Sequence, residues 1–267
     1  MDKAVILAAG RGTRMQRTLD AAALDANQAA AAQSGEKAMM PVGRPFIDYV
    51  LSGLADAGYR RVCVVTAPTH NVLNQHVLSF NGGRLSIEVA TQHEPLGTAN
   101  ALAAAANFAA AESFLMINGD NYYPVSTLQA IRSLTGSAVV GFRPNGLCRG
   151  NIAAERLPQY SVVLPDANGY LQRVIEKPGE AYFQQHSESI LIGMNCWRFT
   201  PAIFEACRQI RRSARNEFEL PDAVEYARSN LGQSFQVLDV DAPVLDLSTR
   251  GDVADVTRRL ASIEVRL

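Results

Sequence analysis

The segment Lys3–Met15, KAVILAAGRGTRM, decides the fold of this 267-residue chain. It opens on a short, continuous apolar run, which is typical of a strand buried on both faces of a parallel sheet. The loop that follows places backbone N–H groups at the carboxyl edge of the sheet, where ligands of open α/β folds bind. Gly10 and Gly12 allow a phosphate or base to approach closely, and Arg14 can donate two hydrogen bonds to one phosphate. The segment predicts a phosphate-binding loop.

Three known glycine-loop patterns compete for this segment. The dinucleotide fingerprint GxGxxG fits Gly10 and Gly12, but Met15 stands where the third glycine or alanine belongs. The P-loop pattern GxxxxGK[ST] does not fit GRGTRMQR. The third pattern, LAAGxGTRM, matches Leu7–Met15 directly.

Outward from this loop, apolar strand-like runs alternate with helical patterns. In the first half, strands are predicted over 60–67, 86–92 and 113–120, and helices over 44–59, 71–80 and 97–110. In the second half, an Asn-Gly turn at 166–169 predicts a hairpin, followed by a strand over 189–199, a pair of strands within 234–247 and helices over 201–212, 220–229 and 250–265. Alternation of this kind predicts an α/β fold with a mixed, mostly parallel central sheet and helices on both faces.

Composition excludes several classes of function. The formal net charge of -1 leaves no basic excess for binding along nucleic acid. The chain has no apolar run of the roughly 20 residues that a membrane span needs, and it starts without a targeting segment. The cysteines form no CxxC pair. We expect a reduced cytoplasmic protein with neither a nucleic-acid nor a membrane partner, and the sequence gives no indication of oligomeric state.

The motifs together resemble those of the sugar-phosphate nucleotidyltransferases, also called nucleotide-sugar pyrophosphorylases. The resemblance extends from Val5 to about Asp255. Its motifs are LAAGRGTRM at 7–15, QHEPLGTANAL at 92–102, the strand ending in GD at 119–120, EKP at 176–178 and, more loosely, LDLSTRGDV at 245–253. It implies a Rossmann-like, three-layer nucleotidyltransferase (GT-A-like) fold in a single domain, 1–267, with a nucleotide-binding half, 1–145, and a sugar-phosphate-binding half, 146–267.

The resemblance implies attack by a sugar 1-phosphate oxygen on the α-phosphorus of a nucleoside triphosphate, with loss of pyrophosphate. Such a step needs alignment and charge neutralisation rather than a covalent nucleophile. Arg14, Lys37 and Asp120 are implied as catalytic residues, and Asp120 with Asp246 as ligands of an Mg2+ cofactor, which takes few protein oxygens. Asp239 or Asp241 is the alternative to Asp246. Glu36 precedes Lys37 where the family has proline.

The resemblance also implies the residues that bind each substrate. The nucleotide-binding residues are Leu7, Ala8, Ala9, Gly10, Gly12, Thr13, Gln92, Gly97 and Thr98. The sugar-phosphate residues are Gly150, Glu176, Lys177 and Asn195, although turn or core roles remain open for Gly150 and Asn195. Pro178 is expected to hold Lys177 in an extended backbone.

Several functions remain open at this stage. A cytidylyltransferase acting on a phosphorylated alcohol such as phosphocholine shares the first motif, and a non-catalytic regulatory relative shares the fold. A glycosyltransferase is disfavoured, because NGDN at 118–121 carries one acidic residue rather than the pair of a DxD motif. UTP and dTTP are the commonest nucleotides of the family, and the base and the sugar are undetermined.

The alanine-rich stretch at 16–35 separates Arg14 from Lys37. If both side chains meet the same phosphates, this stretch must leave the loop and return. We predict a helical or mobile excursion that forms a flap beside the active site and moves when no ligand is bound.

Overall fold

The protein is described by a computed structural model at residues 1–17, 24–186 and 190–267. The strands are β1 Lys3–Leu7, β2 Arg61–Thr66, β3 Ser86–Thr91, β4 Phe114–Asn118, β5 Asn121–Tyr122, β6 Ser137–Phe142, β7 Ser161–Pro165, β8 Leu171–Ile175, β9 Leu191–Phe199, β10 Phe235–Val240 and β11 Leu245–Asp246. The helices are α1 Thr13–Gln16, α2 Ala26–Ser34, α3 Phe46–Asp56, α4 Asn71–Leu78, α5 Thr98–Ala103, α6 Ala106–Ala109, α7 Val125–Ser133, α8 Pro144–Cys148, α9 Glu180–His186, α10 Ala202–Gln209, α11 Leu220–Asn230 and α12 Asp252–Leu260. Short 3-10 helices span Lys37–Met39 and Ala154–Gln159.

The central sheet has the strand order β10-β6-β9-β4-β1-β2-β3, with the β7–β8 hairpin attached to β9. Strand β1 runs parallel to β2 and β4, β2 parallel to β3, and β10 parallel to β6. Only β9 runs antiparallel to its neighbours β4 and β6 along this path. The mixed, mostly parallel sheet that the sequence predicts is therefore confirmed.

The register of the sheet positions the loops that follow its central strands. Leu7 at the end of β1 lies opposite Asn118 at the end of β4 and opposite Val65 in β2. Since parallel strands with this register end at one level, the loops after β1 and β4 leave the same edge of the sheet side by side.

Helices cover both faces of the sheet. Alternate residues of a strand point to opposite faces, so in β1 Ala4 and Ile6 join one apolar core and Val5 joins the other. The first core contains the apolar residues of α3 and α7, and the second contains those of α5, α10 and α11. The predicted three-layer arrangement is confirmed.

Helix α3 shows how local sequence sets these elements. Its apolar residues, including Phe46, Ile47 and Leu51, are fully buried. It ends just before Gly58, which has a φ of +93°, a backbone conformation that glycine adopts without steric cost. The Ala57-Gly58 pair therefore ends the helix, just inside the range of 44–59 that the sequence predicts.

Strand β9, from the predicted sugar-phosphate half, lies between β4 and β6 of the predicted nucleotide half. The two halves thus share one sheet, and the single-domain organisation stays a prediction. No described helix combines the length and apolar character that crossing a membrane requires.

Several predicted elements differ from the structure. The helix predicted over 97–110 is divided into α5 and α6 by a tight turn in which the Ala105 N–H donates to Leu102. The helix predicted to reach residue 212 ends at Gln209, because Ile210 is extended. The pair of strands predicted within 234–247 is present as β10 and β11, but the two-residue β11 leaves the central sheet to pair with β5. That small two-stranded sheet lies beside the candidate site.

Candidate active site

A cleft of about 460 Å³ opens at the carboxyl edge of the sheet. All nine predicted nucleotide-binding residues line it, together with Lys37 and Asp120. The sequence interpretation did not assign the remaining lining residues, which are Arg11, Ala38, Pro95, Ala101, Asn118, Gly119 and Glu217. One pocket therefore collects residues from five separate parts of the chain.

Backbone hydrogen bonds join the end of β1 and its loop to the loop after β4 and to strand β2. The Gly119 N–H donates to the Leu7 carbonyl at 2.9 Å, and the Ala8 N–H donates to the Val65 carbonyl at 2.8 Å. A Cβ atom on Gly119 would lie only 3.1 Å from the Cβ of Ala8. The close packing fixes the glycine-rich loop against the loop that carries Asp120.

Two glycines bring Lys37 back to the glycine-rich loop. Gly12 has a φ of +60°, and a Cβ atom there would lie 2.3 Å from the carbonyl oxygen of Gly35. Gly35 has a φ of +77°, and its Cβ would lie 2.4 Å from the carbonyl oxygen of Arg11. The two backbones therefore meet without side chains between them, and Lys37 follows two residues later. We call this contact the glycine pair.

The part of the excursion that the structure describes is ordered as a helix. Helix α2 begins with a capping box, in which Asp25 accepts from the Gln28 N–H and Gln28 accepts from the Asp25 N–H. The Gln28 amide also donates to Pro41 at 3.0 Å, and Ala32 is fully buried. Residues 18–23 lie outside the described residues, and the predicted motion of the flap stays a prediction.

Lys37 and Asp120 form an ion pair inside the cleft. The Lys37 Nζ lies 2.7 Å from the Asp120 Oδ2, and the two side chains are 15% and 24% exposed. The Leu247 N–H donates to the Asp120 carbonyl at 2.9 Å, so the backbone of Asp120 is held from the C-terminal part of the chain. A cation and a carboxylate are thus paired where phosphates would enter.

Gln92 presents an acceptor to the cleft. It is buried, and its Nε2 donates to the Gly97 carbonyl at 3.0 Å and to the Asn100 Oδ1 at 2.9 Å. A backbone carbonyl can only accept, so the contact with Gly97 fixes which end of the Gln92 amide is the nitrogen. Its Oε1 receives no hydrogen bond from the described residues.

The segment around Gly97 is fastened to the loop before α11. Gly97 has a φ of +103°, and a Cβ there would lie 2.5 Å from the Phe218 carbonyl oxygen. The Phe218 N–H donates to Leu96, and the Thr98 hydroxyl accepts from the Leu220 N–H at 2.9 Å. Glu217 consequently joins the wall of the cleft, although no motif marked it in the sequence.

Asp246 lies close to Asp120, but its carboxylate is hydrogen-bonded to other residues. Its side chain is 4% exposed. It accepts hydrogen bonds from Asn121, Arg156, Tyr160 and Ser248. Burial raises the pKa of Asp246, and the nearby charge of Asp120 raises it further. The alternative candidates Asp239 and Asp241 lie in exposed ion pairs with Arg143 and Arg149 and do not line the cleft.

Arg14 is exposed and does not line the cleft. It belongs to α1, and no hydrogen bond or ion pair joins it to any residue in the described ranges. It follows Gly12 by two residues, so its side chain starts from the loop that lines the cleft. Its predicted contact with phosphates stays a prediction.

The predicted sugar-phosphate residues do not gather at the cleft. Glu176 and Lys177 are exposed, and Lys177 has a φ of +44°, so the expectation that Pro178 holds it extended is wrong. Partial desolvation raises the pKa of Glu176, as does the charge of Glu219, while Arg215 opposes both. Arg215 was not predicted, and it places a second cation beside Glu176 and Lys177.

Gly150 and Asn195 do not line the cleft, and each instead has a role in the local backbone structure. A Cβ on Gly150 would lie 2.3 Å from the Val244 carbonyl oxygen, so this glycine lets two backbones pack together just before β11. Asn195 has a φ of +53° within β9 and accepts from the Trp197 indole N–H at 3.4 Å. The structure therefore favours the turn or packing roles that the sequence left open.

Mg2+ fits only part of the predicted donor set. Asp120 offers a partly exposed carboxylate in the cleft, and Mg2+ usually takes one or two carboxylates together with substrate phosphates and waters. Both oxygens of Asp246 already accept two hydrogen bonds each, so they do not fit a metal ligand. The described residues contain no cluster of three acidic, histidine or cysteine side chains suited to a metal.

Comparison with known proteins shows the family to which this chain belongs. The profile of the family described as Nucleotidyl transferase matches residues 3–247. UTP–glucose-1-phosphate uridylyltransferase AglF of Haloferax volcanii is 26% identical over 97% of this chain and 96% of its own length. A glucose-1-phosphate thymidylyltransferase of Streptomyces antibioticus is 27% identical over 99% of this chain and 68% of its own length. Two other relatives are longer, and the chain spans 56% and 51% of them.

A solved structure of UDP-glucose pyrophosphorylase complexed with UDP-glucose has the same fold. It superposes with a TM-score of 0.71 at 18% identity, over 99% of this chain and all of the other. The fold is that of an α/β nucleotidyltransferase. The chain belongs to the nucleotidyl transferase family, and its named relatives confirm the resemblance to nucleotide-sugar pyrophosphorylases.

Proposed function

We propose that this enzyme transfers a nucleotidyl group from a nucleoside triphosphate to a sugar 1-phosphate in an Mg2+-dependent reaction that releases pyrophosphate. The observation that carries the proposal is the Lys37–Asp120 pair, set at 2.7 Å in a cleft walled by the glycine-rich loop. A cation that neutralises phosphate charge beside a carboxylate that can hold a metal is the arrangement that phosphoryl chemistry needs.

The described residues suit separate tasks in this reaction. The open backbone around Gly10 would approach the triphosphate, since no atom lies within 4 Å of a Cβ placed there. Lys37 would move from Asp120 to the phosphates as they bind, and Arg14 would reach them from α1. Mg2+ bound at Asp120 would neutralise charge on the phosphate oxygens. The chain would then orient the sugar-phosphate oxygen in line with the leaving pyrophosphate.

The Gln92 amide favours a uracil or thymine base. Because both of its N–H hydrogens are donated to Gly97 and Asn100, it presents an acceptor to the cleft. The N3–H of uracil or thymine can donate to this acceptor, whereas N3 of cytosine only accepts, so cytosine would have to shift to bring its exocyclic N4 amino group to Gln92 instead. UTP and dTTP are therefore the proposed substrates, and cytidylyl transfer to a phosphorylated alcohol is disfavoured.

Replacing Gln92 by leucine tests this base selection. Loss of one hydrogen bond inside a buried site costs about 1–3 kcal/mol, so kcat/KM with UTP and dTTP should fall roughly 10- to 100-fold, while kcat/KM with CTP changes little. A His93→Ala protein serves as the control, because it removes the exposed neighbour of Gln92 in the chain and leaves the hydrogen bonds of the Gln92 amide in place. An equal fall with all the nucleotides would contradict the assignment.

The sugar-phosphate site is proposed to include Lys177, with Glu176 on a sugar hydroxyl. In a Lys177→Ala protein, KM for the sugar 1-phosphate should rise roughly 10- to 100-fold, because a charge-assisted hydrogen bond contributes about 1.5–3 kcal/mol. KM for the nucleotide should stay constant. Steady-state kinetics with each substrate varied in turn would measure both values.

The matched control is Arg173→Ala, which removes an exposed cation from the preceding strand β8. This control should leave both KM values unchanged. If Lys177→Ala weakened nucleotide binding instead, Lys177 would belong to the other substrate.

A substrate panel tests the proposed function as a whole. The protein is incubated with Mg2+, each of UTP, dTTP, CTP and GTP, and a set of sugar 1-phosphates, with phosphocholine as a further acceptor. Pyrophosphate release with UTP or dTTP and a sugar 1-phosphate is the expected result. Release only with CTP and phosphocholine would support the cytidylyltransferase, and no release in any combination would support a non-catalytic relative.

A further inference from the structure

The carboxylate of Asp246 has no free position for a further ligand. Its Oδ1 accepts from the Asn121 amide at 3.0 Å and from the Ser248 hydroxyl at 3.0 Å. Its Oδ2 accepts from the Arg156 guanidinium at 2.8 Å and from the Tyr160 hydroxyl at 2.6 Å. Two acceptor positions per oxygen are thus filled by protein donors.

Arg156 supplies the positive charge at this carboxylate. Besides Asp246, its guanidinium donates to the Asp252 Oδ1 at 2.6 Å and to the Tyr160 hydroxyl at 3.1 Å. Asp252 in turn accepts from the Ser248 and Thr249 N–H groups at the start of α12. A single arginine therefore joins the 3-10 helix at 154–159 to both ends of the segment 246–252.

This network reaches Asp120 through the backbone. Asp246 pairs with Asn121 in the small sheet of β5 and β11, and the Leu247 N–H donates to the Asp120 carbonyl at 2.9 Å. Asn151 closes the other side, because its side chain accepts from the Asp246 N–H and donates to the Asp246 carbonyl. The loop that carries Asp120 is thus held by residues that Asp246 organises.

We infer that Asp246 is a positioning residue, neutralised by Arg156, and that Asp120 is the one carboxylate of this pair that contacts the metal ion. A cation shared with Asp120 would have to displace one of the four donors that Asp246 already accepts from. The positive charge that a metal ion would bring is supplied by Arg156, which pairs with both Asp246 and Asp252. The inference rests on the proposed Mg2+-dependent function.

The experiment measures how strongly a divalent ion strengthens nucleotide binding. The protein is titrated with the non-reactive α,β-imido analogue of UTP, with and without Mn2+, and the ratio of the two Kd values gives the coupling. For wild-type protein we expect a ratio in the usual range of about 5 to 150. Asp120→Asn should reduce the ratio to about 1, since it removes the ligand.

The Asp246→Asn protein should keep the wild-type ratio within about twofold, and so should a double variant, Arg156→Gln with Asp246→Asn. The double variant removes both charges of the Asp246–Arg156 pair together, while Asp252 keeps its hydrogen bonds from Ser248 and Thr249, so it provides the measurement if the single variant does not fold. A ratio near 1 in either protein, as in Asp120→Asn, would overturn the inference.

The positioning role has its own measurement. With Mg2+ saturating, kcat of Asp246→Asn should fall at least about tenfold. The double variant should recover part of this loss, because the effects of changing two residues in contact, Asp246 and Arg156, are not additive. An unchanged kcat in Asp246→Asn would contradict the role. Failure of the proposed function is distinguishable, because the wild-type protein itself would then show no Mn2+ effect.

Discussion

The Asp120→Asn protein is expected to fold and to bind nucleotide but to turn over about a thousandfold more slowly than wild type. Removing one charge-stabilising group from such a site commonly costs a factor of 10² to 10³, and Asp120 also carries the proposed metal contact. Asparagine keeps the shape of the side chain and can still accept from Lys37, whose Nζ lies 2.7 Å away. Pyrophosphate release gives kcat, and thermal unfolding checks the fold.

The matched control for this prediction is Asp239→Asn. Asp239 carries the same side chain in an exposed pair with Arg143, away from the cleft, and exposed pairs contribute about 0–1 kcal/mol. Both its activity and its Tm should resemble those of wild type. Wild-type turnover in Asp120→Asn would remove Asp120 from the reaction, and equal losses in both variants would point to a general charge effect.

Gly12→Ala is expected to destabilise the protein and to disable it. The left-handed backbone costs a non-glycine residue about 1–2 kcal/mol, and forcing a methyl group into a packed site adds about 1–3 kcal/mol. Here the new Cβ would lie 2.3 Å from the Gly35 carbonyl oxygen, so the glycine pair must separate. Tm should fall by roughly 5–15 °C. Activity should fall further, because Lys37 depends on this contact for its place beside Asp120.

Gly10→Ala provides the contrast within the same loop. No atom lies within 4 Å of a Cβ at Gly10, and its φ is not positive, so Tm should stay within about 1 °C of wild type. Nucleotide affinity should nevertheless fall, since the methyl group would stand where the phosphates approach. If Gly12→Ala were as stable as Gly10→Ala, the glycine pair would not hold the loop together.

The sequence predicted best those features that depend on local pattern. Three such features are the apolar run before Gly10, the Asn-Gly turn at 166–169 and the run ending at Asp120. Each of them can be recognised from residues that are close together in the sequence. Parallel pairing then requires their loops to meet at one edge. The nine residues assigned to the nucleotide line a single cleft for this reason.

Features that depend on distant contacts were not predictable in the same way. Glu217 reaches the cleft because Phe218 packs on Gly97, which no local pattern reveals. Arg156 precedes Asp246 by 90 residues, and only the three-dimensional structure shows that its guanidinium donates a hydrogen bond to the Asp246 carboxylate. The left-handed backbone conformation of Lys177 is likewise set by the surrounding chain, and it overrides the extended conformation that a following proline favours.

The glycine pair affects how freely the length of the segment between Gly12 and Gly35 can change. A chain segment whose ends are clamped together can grow with little penalty, because doubling the length of a flexible loop adds only about 0.6 kcal/mol of closure entropy. The spacing along the chain from the glycine-rich loop to Lys37 is therefore free to vary, while the distance in space is not. An affinity tag or a reporter domain inserted between Gln16 at the end of α1 and the Asp25 cap of α2 should leave the geometry of the cleft undisturbed.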